Sequence, residues 1–284
     1  MKKISVNCPA KINLTLEIVN RREDGFHNIK SIMQTISLFD TLEIELEPDN
    51  NTEILLSGNS KDIPYDSKNL VYKACELFFL ETGLSGRVKI FINKKIPIAA
   101  GLAGGSTDAA GTLYGLNKIF DNPLTREELH KLCSKLGSDL NVCLEGGCIL
   151  ATSRGEVIKK LDKAPQYKLT LVKPKNLGIS AKEAYTKYAL KTEKPQNNMT
   201  EKMLDAINSE KSIQEFLYND LEYAIFDDYK ELQLIKQRLP KSIMSGSGST
   251  YFVLDGKINK ALFDESFEII EDLEFIPNGV CRLN

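Results

Sequence analysis

The sequence predicts an α+β protein in which strands and helices are mixed, and two observations support this class. Segments with alternating apolar side chains, typical of strands, follow one another at hairpin spacing through the first third of the chain. Helical segments then occur between further strands, which favours α+β over a purely parallel sheet. A hydrophobic content of 42% and a charged content of 27% are ordinary for a globular protein.

Strands are expected to dominate the first third. Ile12, Leu14, Leu16 and Ile18 alternate with polar residues and predict one buried strand face. A polar loop at 20–25 separates this strand from the next. The alternating segments predict strands at 4–7, 12–19, 29–37, 41–47, 52–57, 87–93, 148–152 and 168–173.

Local start and stop signals predict the helices. Ser67 is expected to cap a helix that ends near Gly83, and Thr125 and Glu128 form the capping box of a helix that ends at Gly137. Another helix is expected at 108–120, directly after a glycine-rich turn. In the second half we expect helices at 181–190, 200–208, 213–226, 229–239 and 259–272, two strands within 243–254, a final strand at 279–283 and a mobile polar loop at 191–198.

The length of 284 residues corresponds to about two domains. The segment 153–165 is charged and rich in turn residues, so we expect the boundary there. This divides the chain into an N-terminal domain at 1–158 and a C-terminal domain at 159–284.

Composition excludes several classes of protein. The 37 basic and 39 acidic residues nearly balance, whereas a chain that binds nucleic acid normally has a basic excess. Six cysteines without a CxxC pair, together with two histidines, argue against a zinc site and a disulfide scaffold. No segment has the apolar run of a signal peptide or of a transmembrane helix. We therefore expect a cytoplasmic protein, monomeric or a weak homodimer, that binds a small molecule and neither nucleic acid nor membrane.

The strongest motif is a glycine-rich segment that leads into the helix predicted at 108–120. Its small residues let the backbone approach a ligand, and its N–H groups meet the positive end of a helix dipole, which suits the phosphates of a nucleotide. Ser106 and Thr107 add hydroxyls that can contact a phosphate oxygen or a magnesium ion. A plain turn with glycine for tight packing is the competing interpretation. The candidate phosphate-binding residues are Pro97, Ile98, Ala99, Ala100, Gly101, Leu102, Ala103, Gly104, Gly105, Ser106 and Thr107.

Four further features indicate chemistry only in combination. Lys11 and Asn13 share one face of a predicted strand, where a lysine is most often simply solvated. Asp139 follows Ser138, and capping of a helix explains either residue. Phe26 and His27 place an aromatic ring beside one of the two histidines. The segment 245–250 is either an ordinary hairpin loop or a loop that closes over a nucleotide.

Taken in order, PAKINL at 9–14, GLAGGST at 101–107 and SGSGST at 245–250 resemble the three signature motifs of the GHMP kinase superfamily. The segments RREDGFH at 21–27 and GSDLNVCLEGG at 137–147 resemble the branch whose acceptor substrate is cytidine-diphospho-methylerythritol. The resemblance implies a domain like ribosomal protein S5, a ferredoxin-like second domain and an active site in the cleft between them. It also implies an ATP-dependent kinase that phosphorylates the 2-hydroxyl of its substrate, on the non-mevalonate route to isoprenoid precursors.

The resemblance implies a role for each motif position. Asp139 would be the base for the attacking hydroxyl, and Lys11 its charged partner. Asn13 would lie near the substrate diphosphate or the transferred group, and Phe26 and His27 would hold cytosine by stacking and hydrogen bonding. Residues 97–107 would bind ATP; the Mg²⁺ ligands cannot be assigned from the sequence, although the Ser106 hydroxyl is a candidate.

Three positions depart from the pattern of the family, and two alternatives stay open. Phe26 stands where tyrosine is common, Thr107 replaces a serine, and Asn141 stands where proline is common, which predicts a looser turn after Asp139. The alternatives are another GHMP kinase, acting on mevalonate, homoserine or a sugar, and a non-catalytic ligand sensor with the same fold. The pairing of Phe26 with His27 argues against the first, and the retention of Lys11 and Asp139 argues against the second.

Overall fold

The computed structural model describes residues 1–193, 195 and 197–283, which form an eight-stranded sheet and a four-stranded sheet. Helices cover both sheets. Residues 194 and 196 of the polar loop predicted at 191–198 lie outside the described residues. Among the described residues, no helix has both the length and the apolar content that crossing a membrane requires.

A long hairpin forms the centre of the first sheet. Strand β1 (Lys2–Arg21) pairs antiparallel with β2 (His27–Glu47), so each strand joins two segments that the sequence predicts as separate strands. The register shifts between Pro9 and Lys11 and again between Asn13 and Thr15. Both register shifts lie where β1 carries its polar residues. Such bulges re-aim the side chains beside them.

The other strands of the first sheet come from distant parts of the chain. Strands β3 (Glu53–Gly58), β4 (Arg87–Asn93), β5 (Cys148–Thr152) and β6 (Val157–Lys160) extend the sheet from β2. Strands β8 (Tyr218–Asn219) and β12 (Cys281–Arg282) both pair with β1. The strands predicted at 87–93 and 148–152 have the predicted bounds, and the strand predicted at 279–283 is shorter.

Four helices pack on this sheet: α1 (Leu70–Thr82), α2 (Gly104–Ile119), α3 (Arg126–Leu136) and α4 (Leu140–Glu145). Helix α1 is capped by Asn69, whose side chain accepts a hydrogen bond from the amide of Val71, so the predicted cap at Ser67 is wrong. Helix α2 begins four residues earlier than predicted. A Cβ at its Gly111 would lie 2.3 Å from Sγ of Cys8, so glycine lets α2 lie directly on β1.

The second sheet has the strand order β11 (Phe267–Glu274), β7 (Lys168–Pro174), β10 (Tyr251–Leu254) and β9 (Ile243–Met244). One face shares a hydrophobic core with β1, β2 and helix α6 (Met199–Asn208). The other face packs against α5 (Ala181–Leu190), α7 (Asp220–Ile225) and α8 (Lys230–Arg238). The two sheets therefore lie against each other.

Two helices predicted in the second half are wrong. The segment 259–272 forms a short 3-10 turn (Lys260–Leu262) and then β11, because its apolar residues pair with β7. The segment 213–226 is divided into a 3-10 turn (Gln214–Phe216), β8 and α7, because β8 pairs with β1. In both cases pairing with a distant strand overrides the local helical pattern.

The division into domains at 1–158 and 159–284 remains a proposal. All four strands of the second sheet follow residue 159, which supports it, whereas β8 and β12 return to the first sheet. The segment around β12 is held to the first half of the chain by backbone hydrogen bonds. The amide of Val280 donates to the carbonyl of Cys143 in α4 at 2.9 Å, and β12 then pairs with Val6 and Asn7.

Candidate active site

A cleft of about 980 Å³ is lined by residues from both halves of the chain. One wall comes from β1, from the start of β2 and from the loop before α4. The opposite wall comes from helix α5 and from Gly246 and Ser247. The glycine-rich segment 97–107 reaches this cleft as well, so all the motifs found in the sequence meet there.

The glycine-rich segment ends at the N-terminus of α2. Ala99, Gly101 and Ala103 have positive φ angles of 50°, 74° and 60°, and this backbone turns into the first residue of the helix at Gly104. Because Ala103 occupies the cap position and has no side chain that can cap, the first amides of α2 are suited to the oxygens of an anion.

In the structure the eleven candidate phosphate-binding residues fall into three groups. Ala99, Gly101, Ala103 and Ser106 line the cleft. Ala100, Leu102 and Thr107 are buried, and the hydroxyl of Thr107 lies beside the thiol of Cys143. The remaining four, which shape the turn without lining the cleft, are Pro97, Ile98, Gly104 and Gly105.

The 245–250 loop joins β9 to β10 as a hairpin, and it also packs on the glycine-rich segment. The hydroxyl of Ser245 donates to the carbonyl of Gly101 at 3.0 Å. A Cβ at Gly101 would lie 2.0 Å from the carbonyl oxygen of Ser245, so the two loops approach each other as closely as glycine allows. The interpretation as a hairpin loop is therefore confirmed. Gly246 and Ser247 also line the cleft, and closure of this loop over a nucleotide stays a prediction.

Lys11 and Asp139 form an ion pair in the cleft. Nζ of Lys11 lies 3.3 Å from Oδ2 of Asp139, with the lysine side chain 4% exposed and the carboxylate 30% exposed. The Lys11 ammonium also donates to Oδ1 of Asn13 at 2.8 Å. The solvated-lysine interpretation is therefore wrong. Asp139 precedes α4 but makes no capping hydrogen bond with its side chain, so capping does not explain the carboxylate.

Asn13 connects this pair to the sheet and to the 245–250 loop. Its side-chain amide donates to Oγ of Ser31 at 2.9 Å, and its backbone amide donates to Oγ of Ser245 at 3.4 Å. Asn13 is fully buried. The amide orientation is thus fixed, with the oxygen towards Lys11.

Aromatic rings line the end of the cleft at the start of β2. The ring of His27 stacks on Tyr185 of α5 with centroids 5.3 Å apart and an interplanar angle of 15°, and it meets Tyr188 edge-on. Phe26 is 53% exposed, and the guanidinium of Arg154 lies over its ring, 5.2 Å from the centroid. Phe26 and His27 therefore both line the cleft, and their role in holding a base stays a prediction.

Sequence reasoning missed Tyr185 and Arg154. Burial raises the pKa of Tyr185 above its ordinary value, and the charge of Asp139 adds to this effect, so the phenol stays protonated. Tyr185 lies in a helix that the sequence predicts, but its role depends on the approach of α5 to β2. Arg154 lies in the charged segment 153–165, where nothing distinguishes it from its neighbours.

Asn141 anchors the start of α4 to its surroundings, whereas the looser turn expected from the absence of proline stays a prediction. Its amide nitrogen donates to Oγ of Ser134 at 2.8 Å and to the carbonyl of Glu156 at 2.7 Å. Its side-chain oxygen lies 3.0 Å from Nδ1 of His130. These contacts join α3, α4 and the turn that carries Arg154.

A buried charged cluster lies behind the glycine-rich segment. Nζ of Lys94 contacts Oδ2 of Asp40 and lies 2.8 Å from Oδ2 of Asp108. The other oxygen of Asp40 accepts the amides of Lys95 and Ile96 at 2.6 and 2.9 Å, which fixes the chain just before the segment. Burial raises the pKa of Asp108 to about 7, and the neighbouring Asp40 carboxylate acts in the same direction.

Positive charge dominates the side chains that line the cleft. Lys11, Arg21, Arg154 and Lys182 are basic, whereas Asp139 is the one carboxylate among the described lining residues. This balance suits a ligand that carries several phosphate groups. No group of three or more histidine, cysteine or acidic side chains among the described residues is arranged to hold a metal ion.

Comparison with known proteins agrees with this arrangement. Residues 69–148 match the family model of the GHMP kinases N terminal domain. A 4-diphosphocytidyl-2-C-methyl-D-erythritol kinase from Bacillus pumilus is 41% identical over 261 residues, which cover 89% of this chain and 88% of the relative. A kinase of the same name from Bacillus mycoides is 40% identical over 259 residues with the same coverage.

Solved structures show the same fold. A crystal structure of 4-(cytidine 5'-diphospho)-2C-methyl-D-erythritol kinase matches with a TM-score of 0.77 and 28% identity, covering 96% of this chain and 99% of the other. A homoserine kinase from Cytophaga hutchinsonii matches with a TM-score of 0.75 at 18% identity, covering 100% of this chain and 98% of the other, and supports the fold alone. The α+β GHMP kinase fold and the resemblance predicted from the sequence are confirmed. With its identity to these relatives extending over nearly nine tenths of its length, the chain belongs to the 4-diphosphocytidyl-2-C-methyl-D-erythritol kinase family.

Proposed function

We propose that the chain transfers the γ-phosphoryl group of ATP to the 2-hydroxyl of 4-diphosphocytidyl-2-C-methyl-D-erythritol and so forms the 2-phosphate. One observation carries this proposal most directly. The ion pair of Lys11 and Asp139 lies in the same cleft as the glycine-rich segment and the aromatic rings. A phosphate donor and a base-containing acceptor can therefore both reach the pair within one cleft.

Asp139 accepts the proton of the attacking hydroxyl in this proposal. Its carboxylate is partly exposed to the cleft, so a substrate hydroxyl can reach it. The nearby Lys11 ammonium places positive charge where the transferred phosphoryl group passes, and Asn13 orients that ammonium. Phosphoryl transfer depends mainly on alignment and charge stabilisation, and a held ammonium beside a carboxylate supplies both.

ATP binds, in this proposal, with its phosphates at the N-terminus of α2. Ala99, Gly101, Ala103 and Ser106 face the cleft there. We include Mg²⁺ in the proposal because this ion takes many of its ligands from phosphates and water. The Ser106 hydroxyl is a suitable oxygen ligand for it. Bound there, the ion would neutralise phosphate charge.

The cytosine of the acceptor lies, in this proposal, among Phe26, His27 and Tyr185. Stacking needs an exposed ring face, and Phe26 is 53% exposed. The imidazole of His27 supplies a polar edge for the base. Arg21 and Lys182 also line the cleft, and their charges suit the diphosphate of the same substrate.

The test is release of ADP from Mg-ATP by the purified protein with a panel of acceptors. The cytidyl substrate is compared with mevalonate, homoserine and galactose at equal concentrations. Turnover with the cytidyl compound alone supports the proposal. Turnover with another acceptor contradicts the assignment of a base-binding pocket, and ATP binding without turnover on any acceptor favours a ligand sensor.

A further inference from the structure

Four residues at the junction of β8 and α7, Asn219 to Glu222, are almost completely buried although three of them are polar. Asn219, Asp220 and Glu222 are 2%, 2% and 8% exposed. Buried polar groups are costly unless they are hydrogen-bonded. Apart from two local contacts, with Tyr218 and Leu221, the partners of these three side chains lie in other parts of the chain, on both sides of the cleft.

Asn219 holds the start of the 245–250 loop. Its Nδ2 donates to the carbonyl of Met244 at 2.7 Å and to the carbonyl of Gly246 at 2.8 Å. Its Oδ1 accepts from the amide of Leu221 at 2.9 Å and so caps α7. Glu222 accepts the amide of Met244 at 2.9 Å. Asn219 and Glu222 together thus hold the end of β9 and the first turn of the 245–250 loop.

This part of the 245–250 loop is also the part that touches the glycine-rich segment 97–107. A Cβ at Gly246 would lie 2.9 Å from the carbonyl oxygen of Gly101 and 3.4 Å from Oδ1 of Asn13. Gly246 itself lines the cleft. A displacement of Gly246 would therefore move Gly101 or leave a gap beside it, at the place proposed for the ATP phosphates.

Asp220 points to the other side of the cleft. Its Oδ2 accepts the backbone amide of Ile18 in β1 at 2.6 Å, and its Oδ1 accepts the hydroxyl of Tyr218 at 2.6 Å. The hydroxyl of Tyr188 in α5 also hydrogen-bonds to it, and the Tyr188 ring meets His27 edge-on. Asp220 thus joins the end of β1 to the helix that stacks on His27.

We propose that Asn219 and Asp220 are positioning residues that serve the two substrates separately. Asn219 sets the 245–250 loop against the glycine-rich segment and thereby determines ATP affinity. Asp220 sets the end of β1 and helix α5 and thereby determines affinity for the cytidyl group. The identity of the two ligands rests on the proposed function, whereas the contacts of both residues do not.

The test compares two substitutions by calorimetry with two probes, the ATP analogue AMP-PNP and cytidine diphosphate. Asn219→Ser keeps an oxygen that can cap α7 but removes the amide nitrogen that donates both hydrogen bonds to the loop. We expect its affinity for AMP-PNP to fall at least tenfold, with the affinity for cytidine diphosphate within twofold of the unsubstituted protein. For Asp220→Asn we expect the reverse, with the affinity for cytidine diphosphate falling at least fivefold.

Asn117→Ser is the matched control. Asn117 is 5% exposed, and its amide makes the same kind of loop contact with Leu124, at 3.0 Å as donor and 2.9 Å as acceptor. It lies at the far end of α2, away from the cleft. We expect this variant to lower the melting temperature without changing the affinity for either probe, which separates loss of stability from loss of positioning.

An equal loss of affinity for both probes in Asn219→Ser, or no loss for either, would overturn the role assigned to Asn219. If that variant does not fold, Ser245→Ala removes the contact between the same loop and Gly101, and an unchanged affinity for AMP-PNP would then overturn it. Failure of the unsubstituted protein to bind cytidine diphosphate would contradict the proposed function instead. In that case the AMP-PNP measurements still decide the role of Asn219.

Discussion

Substitution of Asp139 by asparagine tests the chemistry of the cleft most directly. The change keeps the shape of the side chain and removes its charge and its ability to accept a proton. Nζ of Lys11 lies 3.3 Å from the carboxylate, and at an effective dielectric constant of about 20 this separation corresponds to roughly 5 kcal/mol of attraction. The net contribution to stability is smaller, since burying the ammonium has its own cost.

Expressed as free energy, the loss of kcat in Asp139→Asn is expected to exceed the loss in the free energy of unfolding. General base catalysis contributes about 10²–10⁴-fold, which corresponds to about 3–5 kcal/mol of activation free energy. The asparagine oxygen can still accept a hydrogen bond from Lys11, and the ammonium keeps its contact with Asn13 at 2.8 Å. We therefore expect a folded protein that binds ATP with a KM within about twofold of the original, because residues 99–106 are untouched.

The assay is steady-state ADP release with both substrates saturating, together with thermal unfolding. Asp121→Asn is the matched control, since Asp121 also pairs with a lysine, Lys2 at 2.7 Å, but on the exposed surface. That control should retain full activity. A kcat within threefold of the original in Asp139→Asn would refute the role of this carboxylate as the proton acceptor.

Three further predictions concern other parts of the site. Phe26→Ala should raise KM for the cytidyl substrate by the equivalent of about 1–3 kcal/mol of stacking and leave KM for ATP unchanged; steady-state kinetics with each substrate varied would reveal an equal loss for both, which would make Phe26 a packing residue. Gly101→Ala places a methyl group 2.0 Å from the carbonyl oxygen of Ser245 at a φ of 74°, so unfolding by denaturant should show a loss of about 2–5 kcal/mol; an unchanged midpoint would mean that the loops separate at no cost. Asp108 has its pKa raised from 3.8 to about 7, so its protonated form stabilises the folded state fully below pH 3.8, and this contribution is lost as the pH rises through about 7. The stability of Asp108→Asn relative to the unsubstituted protein should therefore increase between pH 5 and pH 8, and a constant difference in the free energy of unfolding would contradict the raised pKa.

The sequence predicts those elements whose pattern is local. The bounds of β4 and β5 and the capping box at Thr125 follow from short-range alternation and from hydrogen bonds three residues apart. The two helices that were predicted wrongly lie where a segment pairs with a distant strand, as β8 does with β1. No local signal contains that information.

The same distinction applies to the candidate site. The motif residues Lys11, Asn13, Phe26, His27 and Asp139 all line the cleft. They were predicted because the short motifs, taken together in their order along the chain, resemble those of the GHMP kinases. Tyr185, Arg154 and the buried Lys94 cluster were missed, because a tyrosine on a helix and a lysine after a strand have ordinary roles in most proteins. Their importance depends on which elements the fold brings beside them.

The return of the last strand to the first sheet has a consequence for the order of assembly. Val280 donates to Cys143 in α4, and β12 pairs with β1 at Val6 and Asn7. The two elements that present Asp139 and Lys11 are therefore both covered by residues that are synthesised much later than either element. A nascent chain that has already formed its first four helices still lacks this cover, so the ion pair of Lys11 and Asp139 reaches its final surroundings only after residues 280–282 have left the exit tunnel.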